Sequence, residues 1–142
     1  LTFLCTGNSC RSQIAEAWAR ELFGDVLRIA SAGTLPHGIN PLAAQVMDEV
    51  GVSIRHHGSK HIDSLPRSSL LITVCDHADE SCPIADCDRR IHAPFRDPPR
   101  LAATCASSSD VLHAYRTVRD EIRAYVTRLP EYAPELFRGT SR

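Results

Sequence analysis

"LTFLCTGNSCRSQIAEAWARELFG" runs from Leu1 to Gly24. It begins with an apolar run, Leu1–Leu4, of the kind that makes a short buried strand. Cys5, Thr6, Gly7, Asn8, Ser9 and Cys10 follow, a stretch too rich in turn-forming residues to extend that strand. From Ser12 to Phe23 the pattern turns helical. Ile14, Ala15, Ala17, Trp18, Leu22 and Phe23 make a broad apolar face, and Gly24 fits a helix stop. Strand, polar loop and helix in this order read as the start of an α/β unit.

The loop carries the pattern Cys-x5-Arg, from Cys5 to Arg11. Between a strand and a helix this pattern suits a tetrahedral oxyanion. The loop N–H groups of Thr6, Gly7, Asn8, Ser9 and Cys10 can turn inward as a nest. The helix N-terminus adds about half a positive charge at the same point. Arg11 offers a planar fork of donors. The same donors favour a thiolate, so a lowered Cys5 pKa and a nucleophilic Cys5 are expected. Ser12 is placed to donate a hydroxyl hydrogen bond to that thiolate. Gly7 and Asn8 are residue types that tolerate positive φ. The bland alternative is a buried structural cysteine before an ordinary turn. A nucleotide-binding loop of the Walker type is disfavoured, because no Gly-Lys-Ser/Thr follows.

Further along, Leu27–Ala32 reads as a second strand closed by Gly33. Asn40 fits an N-cap ahead of Pro41, starting a helix with Leu42, Ala43, Val46, Met47 and Val50, ended by Gly51. Ser53–Pro66 is polar and histidine-rich and reads as loop with one short helical turn. Leu70–Val74 is a buried strand, and Ile91–Ala93 a weaker one. "FRDPPR", Phe95–Arg100, reads as a loop because of Pro98 and Pro99. Asp110–Leu129 is the longest helix, with Val111, Leu112, Tyr115, Val118, Ile122, Tyr125, Val126 and Leu129 at helical spacing. The tail from Pro130 is expected to be peripheral. Alternating strands and helices, with no repeat and no linker, predict one α/β domain over residues 1–142. The expected architecture is three-layer α/β/α around a small parallel sheet of about four strands. Cys5 and Cys75 each follow an apolar run, so both belong at the carboxyl edge of that sheet, where such folds bind ligands.

The bulk properties agree with a single enzyme-sized domain. The 142 residues carry a formal net charge of −1, which favours neither nucleic acid nor an anionic membrane. No apolar run approaches the ~18 residues of a membrane span, and no secretory signal is read, so a cytoplasmic monomer is expected. Six cysteines (Cys5, Cys10, Cys75, Cys82, Cys87 and Cys105) are many for such a protein and point to catalytic, redox or metal-binding use. Cys75, His77, Cys82 and Cys87 could form a zinc or thiol sensor module, although Cys-x-His-x4-Cys-x4-Cys is not a usual ligand spacing. No metal site is predicted. A thiolate attacking an oxyanion needs a general acid for its leaving oxygen, and Asp97 in the proline-stiffened "FRDPPR" supplies one. His37, His56, His57 and His61 fall in polar stretches and read as solvent-facing. His92, at an expected strand end, reads as packed.

"CTGNSCRS" with a later "DP" resembles the low-molecular-weight protein tyrosine phosphatases. The match is closer to the thioredoxin-coupled arsenate reductases built on that fold. It runs from Phe3 to about Leu129 and includes "TGNSCRSQIAEAWA", "SAGTLPHGINPLAAQVMDEVG", "VCDHADESCP", "FRDPPR" and "RDEI". Its most discriminating piece is Cys75-x6-Cys82 after a strand, which the phosphatases generally lack.

The resemblance implies a mechanism. Cys5 attacks arsenate held by the loop and Arg11, and Asp97 protonates the departing oxygen. Cys75 attacks the sulfur of the Cys5–arsenic adduct, releasing arsenite and leaving a Cys5–Cys75 disulfide. Cys82 then moves the disulfide to Cys75–Cys82, which reduced thioredoxin reopens. Cys82 favours thioredoxin over a small thiol such as mycothiol as reductant. No cofactor is bound in this scheme, and phosphate and sulfate are expected mimics of the substrate. Cys10 is implied to be structural, and Cys87 and Cys105 have no implied role. The reductases often hold a potassium ion, whose ligand positions match Asn8, Glu16 and Ser31. The fourth position aligns with Lys60, whose ammonium is expected either to replace the ion and pair with Glu16 or to be a solvated loop charge. The alternative activity is that of a low-molecular-weight phosphatase using Cys5, Arg11 and Asp97. Against it, Pro99 stands where those phosphatases commonly present tyrosine.

Overall fold

The computed structural model describes residues 1–75 and 87–139. The carboxyl ends of its first and third strands stand side by side, and that juxtaposition places the site. Strands β1 (Thr2–Cys5), β2 (Ala30–Gly33), β3 (Ser68–Thr73) and β4 (Cys87–His92) form a four-stranded sheet in the order β2-β1-β3-β4. Every pairing is parallel. Helices α1 (Arg11–Phe23), α2 (Pro41–Glu49), α3 (Pro98–Ala102), α4 (Ser108–Thr127) and α5 (Leu129–Tyr132) complete a three-layer α/β/α fold.

The core follows from the apolar strands. Phe3 and Leu4 of β1 and Leu70, Leu71 and Ile72 of β3 are buried, as are Ile14, Val118, Ile122 and Val126 from the helices. α1 lies on β1 and β2, and α4 packs against α1, α2 and α3. Asn40 caps α2 as expected: its Oδ1 accepts from the N–H groups of Leu42 (2.9 Å) and Ala43 (3.1 Å). Ser107 caps α4 by accepting from Asp110 N–H at 3.1 Å, so this helix starts two residues before the expected Asp110.

Three expectations are corrected. "FRDPPR" is not all loop: Asp97 is the N-cap of α3, and Pro98 and Pro99 occupy its first turn, where a missing N–H costs nothing. The second strand is shorter than Leu27–Ala32, beginning only at Ala30. The tail is not peripheral. Ala133 is buried, and the Phe137 ring meets Phe23 edge-on at 5.0 Å.

Chain direction makes the ligand crevice. The chain passes from β1 to β2 on one side and then to β3 on the other side of β1. That reversal is a topological switch point, where α/β sheets open a cleft beyond their carboxyl ends. Cys5 pairs with Gly33, Leu4 with Thr73, and Val74 N–H donates to Leu4 C=O at 2.9 Å. Cys5 and Cys75 therefore end adjacent strands at this cleft. Cys87 pairs with Ser68 at the opposite end of the sheet. At about 3.3 Å per strand residue it lies roughly 20 Å from Cys75. One metal shell cannot span that distance, so the four-ligand set with Cys75 and Cys87 does not assemble. His77 and Cys82 lie outside the described residues.

Candidate active site

The loop between β1 and α1 is held from outside by its carbonyls. Thr6 C=O accepts from Leu35 N–H (2.8 Å), Gly7 C=O from His37 N–H (3.1 Å) and Ser9 C=O from Asn40 N–H (3.0 Å). Asn8 C=O accepts from Ser59 Oγ (2.6 Å) and Gln13 Nε2 (3.1 Å). In a trans peptide the next N–H points the opposite way. Anchoring four successive carbonyls outward therefore turns the N–H groups of Gly7, Asn8, Ser9 and Cys10 inward. Cys10, the N-cap of α1, makes no side-chain cap, so the first turn of that helix keeps its N–H groups free of a competing acceptor there. Together these make an anion cradle.

Asn8 sets the shape of the cradle. Its φ is 45°, the left-handed region, and its side chain is fully buried. Its Nδ2 donates to Ser12 Oγ (3.0 Å) and Ser31 Oγ (2.9 Å), and its Oδ1 accepts from Lys60 N–H (3.0 Å). Ser12 Oγ thus accepts from Asn8 and keeps its own proton to donate. Gly33 lets the loop lie against β2, because a Cβ there would stand 2.5 Å from Thr6 C=O and 2.8 Å from Asn8 N.

A cavity of about 580 Å³ opens above the loop. The expected residues Cys5, Thr6, Gly7, Ser9, Cys10, Arg11, Cys75 and Asp97 all line it, while Asn8 and Ser12 stand behind it. Arg11 Nη1 donates to Phe95 C=O at 3.0 Å, and Nη2 lies 3.5 Å from Asp97 Oδ1. Arg11 Nε is buried with no hydrogen-bond partner among the described residues. An unmade bond from a buried charged group is costly, and an oxyanion in the cavity would satisfy it.

Cys5 and Cys75 are both buried and hydrogen-bonded to each other, and Thr6 Oγ1 stands 3.5 Å from Cys75 Sγ. This pairing corrects the expectation of a lowered Cys5 pKa. The hydrogen bond with Cys75 and then burial push the Cys5 thiol upward, outweighing Arg11 and the Thr6 N–H, which pull it down. The two thiols titrate as a pair: one negative charge finds Arg11 and the loop, and a second is opposed by the first. Burial pushes the Cys10 thiol up to about 12, with Arg11 opposing and Asp97 reinforcing, which keeps it neutral.

Sequence reasoning missed the rim. His37, Asn40, Pro99 and Arg100 line the cavity as well. The His37 ring occupies the space above Gly7, 2.0 Å from where a Cβ would be, so His37 is a site residue rather than an idle loop histidine. Asn40 also donates through Nδ2 to Tyr115 Oη at 3.0 Å, tying the loop to α4. His57, by contrast, is not solvent-facing: its side chain is 8% exposed, with Nδ1 2.9 Å from Gln13 Oε1 and 3.8 Å from Glu16 Oε2. His92 is exposed rather than packed.

The cluster at the expected potassium position is already occupied by protein groups. Ser31 Oγ donates to Glu16 Oε1 at 2.6 Å, and Arg20 Nε donates to Oε2 at 2.8 Å. Lys60 Nζ stands 4.0 Å from Glu16 Oε1 and donates to Gly58 C=O at 3.4 Å. With two cations on one buried carboxylate and the Asn8 side-chain oxygen Oδ1 taken by Lys60 N–H, these residues do not fit an alkali ion. Among the described residues no group of three or more His, Cys, Asp or Glu side chains is placed to share a metal. No described helix is long and apolar enough to cross a membrane.

An anion cradle at a strand–helix hinge, closed by an arginine and an aspartate, defines the chain's class. It belongs to the family described as low molecular weight phosphotyrosine protein phosphatase, whose profile matches residues 1–138. Within that family the sequence is similar to arsenate reductases. It is 42% identical to one from Bacillus cereus (strain Q1) over 132 residues, 91% of this chain and 92% of that one. It is 42% identical to another from Bacillus subtilis (strain 168) over 134 residues, 92% of each. A solved arsenate reductase in a phosphate-binding state superposes with a TM-score of 0.73 at 26% identity, covering 92% of this chain and 95% of that one. A low molecular weight protein tyrosine phosphatase from T. tengcongensis shares the fold, with a TM-score of 0.73 at 21% identity over 92% of this chain and 97% of that one.

Proposed function

We propose that the protein reduces arsenate to arsenite, beginning at Cys5 and completed by a thiol relay that thioredoxin regenerates. The observation that supports this most is the second buried thiol, Cys75, hydrogen-bonded to Cys5 at the switch point. Phosphate-ester hydrolysis needs one thiol. Reduction of As(V) to As(III) needs two electrons, which two thiols supply on becoming a disulfide.

The steps balance. Cys5 sulfur bonds to arsenic, and one oxygen leaves as water with a proton from Asp97. Arg11, through Nε and Nη2, and the loop N–H groups hold the remaining oxygens. Ser12 donates to the Cys5 sulfur while it is a thiolate. Cys75 sulfur then attacks Cys5 sulfur; the S–As bond breaks and its electron pair stays on arsenic, which departs as arsenite. Cys82, which lies outside the described residues, displaces Cys5 from Cys75 and carries the disulfide. Thioredoxin's dithiol reduces it and is itself oxidised.

Arsenate-dependent NADPH oxidation with thioredoxin and its reductase tests the reading. Wild type should turn over continuously. Cys5→Ser should be inactive, and Cys82→Ser should stop after about one equivalent of arsenite. Sustained turnover in Cys82→Ser refutes the third relay step, and activity in Cys5→Ser refutes the whole reading. The phosphatase alternative predicts phosphotyrosine hydrolysis that survives Cys75→Ser. The rim argues against it: Pro99 and Arg100 stand at the mouth, and among the described residues no phenylalanine, tyrosine or tryptophan lines the cavity to receive an aryl group.

A further inference from the structure

The mouth of the cavity holds a charge that the steps above do not use. Arg100 lines the same cavity as Cys5, Arg11 and Cys75, yet it is exposed and makes no hydrogen bond or ion pair among the described residues. Other arginines near this end of the fold are engaged: Arg96 pairs with Glu121, and Arg116 with Glu49. Arg100 sits three residues after Asp97 on α3, and Leu101 N–H donates to Asp97 C=O at 3.0 Å, so the two side chains share a face of one helical turn. Asp97 is the natural partner for Arg100 but stands against Arg11 instead, at 3.5 Å.

That allocation sets the cavity's charge. Asp97 offsets the inner guanidinium, Arg11. Among the described residues, Arg100 then remains as the fixed cation of the cavity without a paired carboxylate. A tetrahedral oxyanion near neutral pH carries between one and two negative charges, so the inner pair alone undercharges the cradle for it. A positive group at the mouth of a cleft concentrates such an ion and speeds its entry. His37 lines the same cavity, its backbone N–H fixed to Gly7 C=O and its ring lying against Gly7.

We propose that Arg100 is an outer anion-binding residue, which captures free tetrahedral oxyanion dianions at the mouth and passes them to Arg11 and the loop. This deepens the reductase reading by assigning substrate capture, and it rests on that reading only for the name of the oxyanion. Inorganic phosphate is therefore the probe. Its affinity is measured by titration calorimetry on the reduced full chain, at low salt and again with 0.5 M NaCl added.

Arg100→Ala should weaken phosphate binding roughly three- to ten-fold at low salt, and the deficit should shrink several-fold at high salt, because exposed charges are screened. Arg100→Lys should recover most of the affinity, and Arg100→Glu should lose more than Arg100→Ala. Thermal stability should be unchanged in all three, since the side chain holds nothing in place. Equal affinity in wild type and Arg100→Ala at low salt overturns the proposal. So does a deficit that salt leaves unchanged, or a lysine variant no better than alanine. Arg100-dependent phosphate binding by a protein that does not reduce arsenate sinks the reductase reading and leaves this one standing. Failure of wild type to bind phosphate overturns both.

Discussion

Replacing Asn8 separates the two things it does for the loop. In Asn8→Ala, Nδ2 no longer donates to Ser12 and Ser31, and Lys60 N–H loses its acceptor. Three buried hydrogen bonds at about 1 kcal/mol each give about 3 kcal/mol. Alanine must also hold φ at 45° without asparagine's local hydrogen bonding, which adds about 1 kcal/mol. The expected loss is about 4 kcal/mol, a large part of the 5–15 kcal/mol typical of a domain. Asn8→Gly loses the same hydrogen bonds but not the conformational preference, so it should be about 1 kcal/mol less destabilised than alanine. Equilibrium urea unfolding under reducing conditions, followed by the fluorescence of Trp18, measures both. Phosphate affinity in the same variants reports the cradle and should fall in each. An alanine variant losing less than about 1 kcal/mol, or a glycine variant no better than alanine, would refute this account of the loop.

Removing the second thiol by Cys75→Ala should lower the Cys5 pKa, since the hydrogen bond with Cys75 is the leading cause of its elevation. The pH profile of Cys5 alkylation, read by mass spectrometry, should shift to lower pH; an upward shift contradicts the pairing. His57 should make the fold sensitive to mild acid. Burial lowers its folded-state pKa below the ordinary 6.5 of the unfolded chain, so the unfolded state binds the proton first. Its contribution is present above that pH and is lost as pH falls toward the lower folded-state value. Urea midpoints across this range should decline in wild type and decline less in His57→Gln. Potassium should leave turnover unchanged relative to sodium, because Lys60 and Arg20 already face Glu16; a clear rise with potassium counts against that reading.

Local chemistry made much of this legible. The Asn40 cap, the apolar spacing of α4 and the strand–loop–helix order around Cys5 each depend on neighbours close in sequence. What escaped depends on the folded surroundings. The prolines of "FRDPPR" start a helix rather than forbid one, because they occupy its first turn, where no backbone N–H is needed. β4 reads weakly because it is an edge strand carrying Asp88, Arg89 and Arg90. His37, Pro99 and Arg100 join the rim only when the β2–α2 loop and α3 close over Gly7 and Cys5. The direction of the Cys5 shift depended on a sulfur seventy residues away in sequence. The loop argues for an acidic thiol, and the register of β1 against β3 supplies the thiol that opposes it.

That opposition suits a reductase better than a hydrolase. A phosphatase gains from a permanently ionised nucleophile, and a lone cysteine in this cradle would be one. In the proposed reaction an oxygen of the substrate must leave as water, and a dianion brings too few protons for an easy departure. A thiol pair that retains a proton carries one into the site beside Asp97. When Cys5 sulfur bonds to arsenic it no longer shares a proton with Cys75, which is left as the free thiol beside the adduct. Cys75 then stands next to the Cys5–arsenic bond at the moment its attack is required. The pairing that raises the Cys5 pKa thus keeps a proton at the site until the first thiol is consumed.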